Sequence, residues 1–357
     1  MSAPAVPPSP RPAPAGARRR SPLAALAWGL ALFLAAQLAL NLYLDFRRPE
    51  RRDLVYGLKL KLLRRQVAAS PGRSLVLALG CSRVEWGLRP DALPPAPGGP
   101  VVFNFGVGGA GPFAELLYLR RLLDAGVRPD GVLLEVAPPL LTVNCAGPEW
   151  LPAHHLAWSD LPLAARYRRD RRALLLDWAW ARLAPCHSYR FTLLNALAPR
   201  WVPVDRRLDV QDALAAMDDH GWGGRAYTAV TAEERARNLE KARREYQDRL
   251  AHFAIDPAAD RALREALMLC RDRTVPTALF LMPEGSTFAA FYAPGARSAI
   301  DAYVAGLCRD FAVPLVDARD WMADDQFWDN HHLLAGGAEG FTRRFGPAVL
   351  PLVLPGR

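Results

Sequence analysis

Five short apolar runs punctuate the chain from residue 74 onward: Leu75–Leu79, Val101–Phe105, Val132–Val136, Thr277–Met282 and Pro314–Val316. Each is too short for a buried helix and lacks polar alternation, the pattern of a strand covered on both faces. Between them the apolar period lengthens to that of a helix. One helix is expected from about Phe113 to Asp124. Another, Ala296–Phe311, places Ile300, Tyr303, Val304, Leu307, Cys308 and Phe311 on one stripe. Asp256-Pro257 reads as an N-cap and first-turn proline for a helix running through Cys270. Thr231 with Glu234 forms a capping box for a charged helix reaching about Phe253. Strands joined by helices in this way predict an α/β fold, a parallel sheet with helices on both faces. From about 144 to 256 the alternation breaks into helical pieces and loops, which reads as an insertion.

Upstream, the pattern changes character. Pro22 to Leu44 is an uncharged run of 23 residues, long enough to cross a bilayer core of roughly 20 helical residues and longer than the apolar part of a signal peptide. The chain therefore divides into a disordered Pro/Arg-rich terminus (1–21), a single transmembrane anchor (22–46), a basic juxtamembrane segment (47–73) and an α/β domain (74–357). The juxtamembrane segment is expected to be an amphipathic helix on the headgroups or a connecting stalk.

Charge sharpens this division. The formal net charge of +9 comes from 45 Lys/Arg against 36 Asp/Glu, yet residues 1–67 hold twelve basic and three acidic residues and so carry the whole excess. The remainder is neutral, which removes the electrostatic footprint of a nucleic-acid binder. Arginines flank the apolar run on both sides (Arg18–Arg20; Arg47, Arg48, Arg51 and Arg52), so the positive-inside rule does not decide the orientation. The short stretch before the run favours a cytoplasmic N-terminus, with the large domain outside the inner membrane. Five cysteines without close spacing predict neither a zinc site nor a disulfide framework; Cys145 with Cys186 is one conceivable pair.

In open α/β sheets the ligand lies beyond the carboxyl ends of the strands. The first strand there runs into Gly80-Cys81-Ser82-Arg83, the second into "FNFGVGGAGP", and the last long loop is "DQFWDNHHLLAGGAEGF". A serine hydroxyl needs a base to become nucleophilic, and a histidine base needs a carboxylate to fix its tautomer. Asp329-x-x-His332 offers both on one turn, and the glycine loop offers bare N–H groups to an oxyanion.

A serine after the first strand, a glycine loop after the second and a C-terminal Asp-x-x-His together resemble the SGNH (GDSL-like) hydrolase superfamily over roughly residues 74–348, the insertion excepted. The "GCSR" block is most similar to the membrane-anchored branch that acts in exported-polymer acylation, including teichoic-acid D-alanylation and alginate acetylation. The resemblance implies a three-layer, flavodoxin-like parallel sheet, Ser82 as nucleophile, His332 as base and Asp329 as its orienting carboxylate. It also implies an oxyanion hole from the N–H groups of Ser82 and Gly109, and no cofactor. Where the family places an oxyanion asparagine after the third strand, this chain reads "LLEVAPPLL", with Pro139 in that place; a missing donor can cost about 3–4 kcal/mol in the transition state.

Arg83 is expected either to hold an anionic substrate group or to pair with a buried acid, and Glu284, Ser286 and Tyr292 to rim the same site. His331 has the wrong spacing from Asp329 for the base and is expected to face solvent or cap. The histidines and aspartates of the last loop, with His154 and His155, contain metal-binding atoms but no recognised ligand spacing. Trp150, Trp158, Trp178, Trp180, Trp201 and Trp222 crowd the insertion and could form a glycan-stacking wall. Two functions stay open: a membrane-anchored acyl esterase or O-acyltransferase acting on an exported glycan or envelope polymer, or a non-catalytic tethered scaffold of the same fold. A transferase would imply a membrane-bound O-acyltransferase as donor partner.

Overall fold

A computed structural model describes residues 21–94, 96, 98–142, 151–202 and 217–354. The expected terminus (1–20), Asn144, Cys145 and Trp150 lie outside the described residues. The strands are β1 (Leu75–Gly80), β2 (Val101–Gly106), β3 (Gly131–Glu135), β4 (Thr277–Leu281) and β5 (Leu315–Asp317). All are parallel, in the order β2-β1-β3-β4-β5, with Leu75 beside Val101 and Val76 beside Gly131. This is the doubly wound order of the flavodoxin type.

The helices are α1 (Pro22–Leu42), α2 (Leu54–Ala69), α3 (Ser82–Gly87), α4 (Pro112–Asp124), α5 (Pro138–Leu141), α6 (Leu161–Tyr167), α7 (Arg171–Leu183), α8 (Pro185–Ser188), α9 (Arg190–Leu197), α10 (Ala232–Ala251), α11 (Pro257–Asp272), α12 (Ser286–Ala289), α13 (Ala296–Phe311) and α14 (Ala335–Val353). Successive strand side chains point to opposite faces. Leu75, Leu77, Leu79, Phe103, Phe105, Leu134 and Leu279 pack under α2, α4, α11 and α13. Val76, Ala78, Val102, Leu133 and Phe280 pack under α3 and α14. Three layers follow directly from that alternation.

Local signals place the ends of these elements. Asp256 accepts from the Ala258 N–H (2.9 Å) at the start of α11, and Thr231 and Glu234 make both halves of their capping box at the start of α10. The segment 47–73, expected as an amphipathic helix on the headgroups or a connecting stalk, is neither alone, because it packs into the domain. Its helix α2 lies on the sheet, with Leu62 and Leu63 in the core. Asp53 caps it by accepting from Tyr56 N–H (3.1 Å), and also accepts from Tyr118 Oη and the Arg121 guanidinium. Lys59 is fully buried and donates to the carbonyls of Asn104 (3.1 Å) and Gly221 (2.6 Å). Burial pushes its ammonium down to about 8, against the pull of Glu85 and Asp218. A run of lysines and arginines suggested an exposed segment, but alternate faces of one helix carry the charge and the packing.

One helix, continuous over Pro22–Arg47, is long and apolar enough to cross a membrane. Its two amides, four residues apart on one face, serve the insertion. Gln37 Oε1 accepts from Cys186 N–H (3.1 Å), and Asn41 Nδ2 donates to the Arg182 carbonyl.

Candidate active site

β1 delivers the serine. Gly80 ends the strand in a position where any side chain would run into Val84 and the Glu135 carboxylate. Glu135, at the end of β3, accepts from Cys81 N–H at 2.7 Å. Burial raises its pKa, while Arg83 and the Cys81 N–H oppose that rise. The chain then turns so that Ser82 is the first residue of α3. Asn104, on β2, pins this helix: its amide donates to the carbonyls of Val84 (2.7 Å) and Leu88 (2.6 Å), and its Oδ1 accepts from Gly106 N–H. The Cys81 thiol faces inward; burial pushes its pKa well above the usual value, and negative Glu135 adds to this, which makes it a poor rival nucleophile.

The imidazole and carboxylate come from a tight loop, not a helical turn. A bridge between Phe327 and Leu333 closes the loop, and Asn330 adopts φ 70° at its apex. Gly285 N–H donates to the Asn330 carbonyl and Thr287 N–H to its Oδ1, which fixes that apex. Asp329 Oδ1 accepts from the backbone N–H groups of His331 (3.2 Å) and His332 (2.8 Å). Its Oδ2 lies 2.7 Å from His332 Nδ1, and His332 Nε2 lies 2.7 Å from Ser82 Oγ. Burial alone would raise the pKa of Asp329. The two adjacent imidazoles and the donated N–H bonds outweigh it and hold the carboxyl well below the usual range.

The serine opens into a cavity of about 240 Å³ lined by Cys81, Ser82, Arg83, Trp86, Gly109, Ala137, Pro139, Leu140, Glu245, Tyr246, His331 and His332. Gly109 adopts φ 73°, a conformation that suits glycine and turns the loop toward the cavity. Among the described residues neither the Ser82 nor the Gly109 N–H has a hydrogen-bond acceptor, and no side-chain amide lines the cavity. Pro139 does line it, on α5 directly after β3, so the third-strand position meets the cavity without a donor. A larger cavity, about 1040 Å³, opens beside Ser74 and Val101 at the opposite, amino-terminal end of the strands and is remote from this chemistry.

The other expected rim residues sit deeper. The Arg83 guanidinium contacts Glu284 (3.1 Å) and the carbonyls of Met282 and Pro283 (2.8 Å each), and both side chains are about 3% exposed. Tyr292 donates to the same Glu284 carboxylate at 2.8 Å. Of the two roles open to Arg83, the geometry places it in the pair with a buried acid. Glu284 and Tyr292 lie behind the cavity, and Ser286 turns away to Asp324.

His331 is buried, not solvent-facing. It stacks on Phe288 (centroids 4.7 Å apart) and meets the Tyr246 edge, and neither ring nitrogen makes a hydrogen bond. Burial pushes its pKa down to about 3, and neighbouring His332 pushes further while Asp329 opposes. The unfolded chain takes up this proton below about 6.5, so stability is lost as pH falls from there toward 3. His331→Phe is expected to leave ester turnover near wild type and to flatten this acid loss in denaturant midpoints measured across that range. An unchanged slope would place the acid sensitivity elsewhere. Asp329, His331 and His332 bring potential metal-binding atoms within 4.8 Å of one another. Both His332 nitrogens are already engaged by Asp329 and Ser82, so a metal there would have to displace the relay.

Trp86 is not among the residues that the sequence pattern singles out. Its ring lies 4.4 Å from that of His332 and 4.1 Å from Tyr227, with Trp328 at 6.1 Å. Its position four residues after Ser82, on the same face of a helix, was the available signal. Tyr246 and Glu245, from the charged helix α10, had none. Among the described residues no insertion tryptophan lines the cavity: Trp222 is buried behind Trp86 and donates to its carbonyl (2.7 Å), while Trp158, Trp180 and Trp201 are exposed elsewhere. No protein-family model and no curated protein matches the chain.

Proposed function

We propose that this chain is a membrane-anchored serine acyl esterase or O-acyltransferase of the SGNH type, acting on short acyl esters of an exported glycan or envelope polymer. The observation that carries the reading is the unbroken line Asp329–His332–Ser82, at 2.7 Å for each step. Ser82 Oγ attacks the acyl carbonyl carbon as His332 Nε2 takes its proton. The carbonyl oxygen becomes negative against the N–H groups of Ser82 and Gly109. Collapse expels the alcohol, which leaves with the proton from His332, and an acyl-serine remains. Water or an acceptor hydroxyl then repeats the sequence in reverse, which gives hydrolysis or transfer.

The SGNH assignment is supported by the flavodoxin-type strand order and by the placement of serine, glycine loop and Asp-x-x-His at the carboxyl ends of β1, β2 and the last loop. A cavity of about 240 Å³, walled by Ala137, Pro139 and Leu140, suits a short acyl group; drug-sized ligands occupy about 300–1,000 Å³. The half-buried rings of Trp86, Tyr227 and Trp328 beside His332 offer a stacking face for a sugar ring. The anchor, with its N-terminus in the cytoplasm, holds the domain outside the inner membrane, where such polymers are finished, and a membrane-bound O-acyltransferase is the matching acyl donor.

Labelling with a serine-directed fluorophosphonate tests this. Covalent modification of wild type, lost in Ser82→Ala and in His332→Ala with the circular dichroism unchanged, is expected. A well-folded wild type that stays unlabelled would favour the tethered scaffold, to which Pro139 in place of a donor side chain lends weight.

A further inference from the structure

The insertion carries an apolar surface pointing the wrong way for a soluble helix. On α7, Leu174 and Ala181 face inward, while Leu176, Trp180 and Leu183 form an outward stripe at helical spacing, 60–63% exposed. Leu175 flanks it at 49%. Leu197 on α9 (84%) and Trp201 just beyond (68%) are exposed as well. Soluble surfaces scatter such residues singly; a contiguous patch marks a contact.

What this patch meets is indicated by where it is attached. Helices α7 and α8 pack on α1. The bonds are made inside the apolar span: Cys186 N–H donates to Gln37 Oε1, and the Arg182 carbonyl accepts from Asn41. Gln37 lies five residues before the end of α1, about 8 Å along the axis at 1.5 Å per residue. A bilayer that contains α1 therefore also surrounds the α7–α8 turn. Charged groups at this junction pair with one another. Arg182 reaches back to Asp45 (2.6 Å), which also pairs with Arg52, as a snorkelling side chain does at the edge of the hydrocarbon. Tryptophan beside an apolar stripe belongs to the same boundary.

We propose that α7 and α9 form a monotopic platform, with Leu176, Trp180, Leu183, Leu197 and Trp201 immersed in the acyl–headgroup boundary of the leaflet that receives the C-terminal end of α1. The occupant is lipid. The platform rests on the reading of α1 as a membrane span and adds a second contact to it.

The test uses the full chain in phosphatidylcholine vesicles doped with a phosphatidylcholine carrying a diazirine in its acyl tail. After irradiation and trypsin digestion, lipid adducts are expected on peptides 173–182 and 191–200 as well as on 21–47. Adducts on 21–47 alone would overturn the platform and leave the anchor standing. Adducts on none of the three would overturn the anchor, and the platform with it. In a parallel sample with a photoreactive diazirine amino acid in place of Leu176, crosslinks between copies of the chain, with no lipid adducts on 173–182, would overturn the proposal in favour of a dimer contact.

Discussion

Replacing Asp329 by asparagine is expected to lower turnover of p-nitrophenyl acetate by about 10⁴-fold with little change in the fold. The carboxylate holds His332 with its proton on Nδ1, at 2.7 Å, and so leaves Nε2 free to accept from Ser82 Oγ. An asparagine that turns its amide N–H toward Nδ1 selects the opposite tautomer, and Nε2 then carries a hydrogen toward the serine. Its side-chain oxygen can still accept the N–H groups of His331 and His332, so the loop keeps its shape. Ser82→Ala and His332→Ala should each remove on the order of 10⁶-fold, and the double variant no more than either alone, because the residues act as one unit. An Asp329→Asn enzyme within tenfold of wild type would end the relay interpretation.

Arg83→Met is expected to destabilise the domain by about 3–5 kcal/mol, because it leaves Glu284 buried beside Tyr292 without its counter-charge. In thermal unfolding this corresponds to a fall on the order of 10 °C for a domain of this size. Adding Glu284→Gln should recover much of the loss, since the orphaned charge then disappears. A single variant as stable as wild type would mean that the guanidinium holds a substrate group instead. Steady-state kinetics of that variant would then separate a raised KM from a lowered kcat.

The parallel sheet was legible because burial on both faces writes itself as uninterrupted apolar runs; the five expected strands fall within one residue of β1 to β5 at each end. Capping chemistry located α10 and α11 for the same local reason. The meeting of Ser82, His332 and Asp329 was legible by residue type and order, although its geometry was not: Asp329 and His332 meet through a bridged loop with a left-handed Asn330, not through helical spacing. Long-range partners were less accessible. Arg83 and Glu284 are about two hundred positions apart, so the sequence offered Arg83 a buried acid as one of two partners without identifying it. Lys59 read as part of a basic run because hydropathy averages a helix whose two faces differ. The tryptophans of the insertion suggested a glycan-stacking wall, but Trp222 is buried and Trp158, Trp180 and Trp201 are exposed away from the cavity.

Lys59 has a consequence for how the apolar helix α1 and the candidate site are joined. A fragment cut at residue 74, where the first apolar run begins, would strip the carbonyls of Asn104 and Gly221 of their donor in a dry interior. The smallest autonomous piece therefore starts at or before Asp53, the cap of α2. Because α2 belongs to that piece and follows α1 after a short bend, the serine is mounted rather than leashed. In the proposed acyl chemistry the serine would work at one height above the lipid, to which polymer and acyl donor would both be brought.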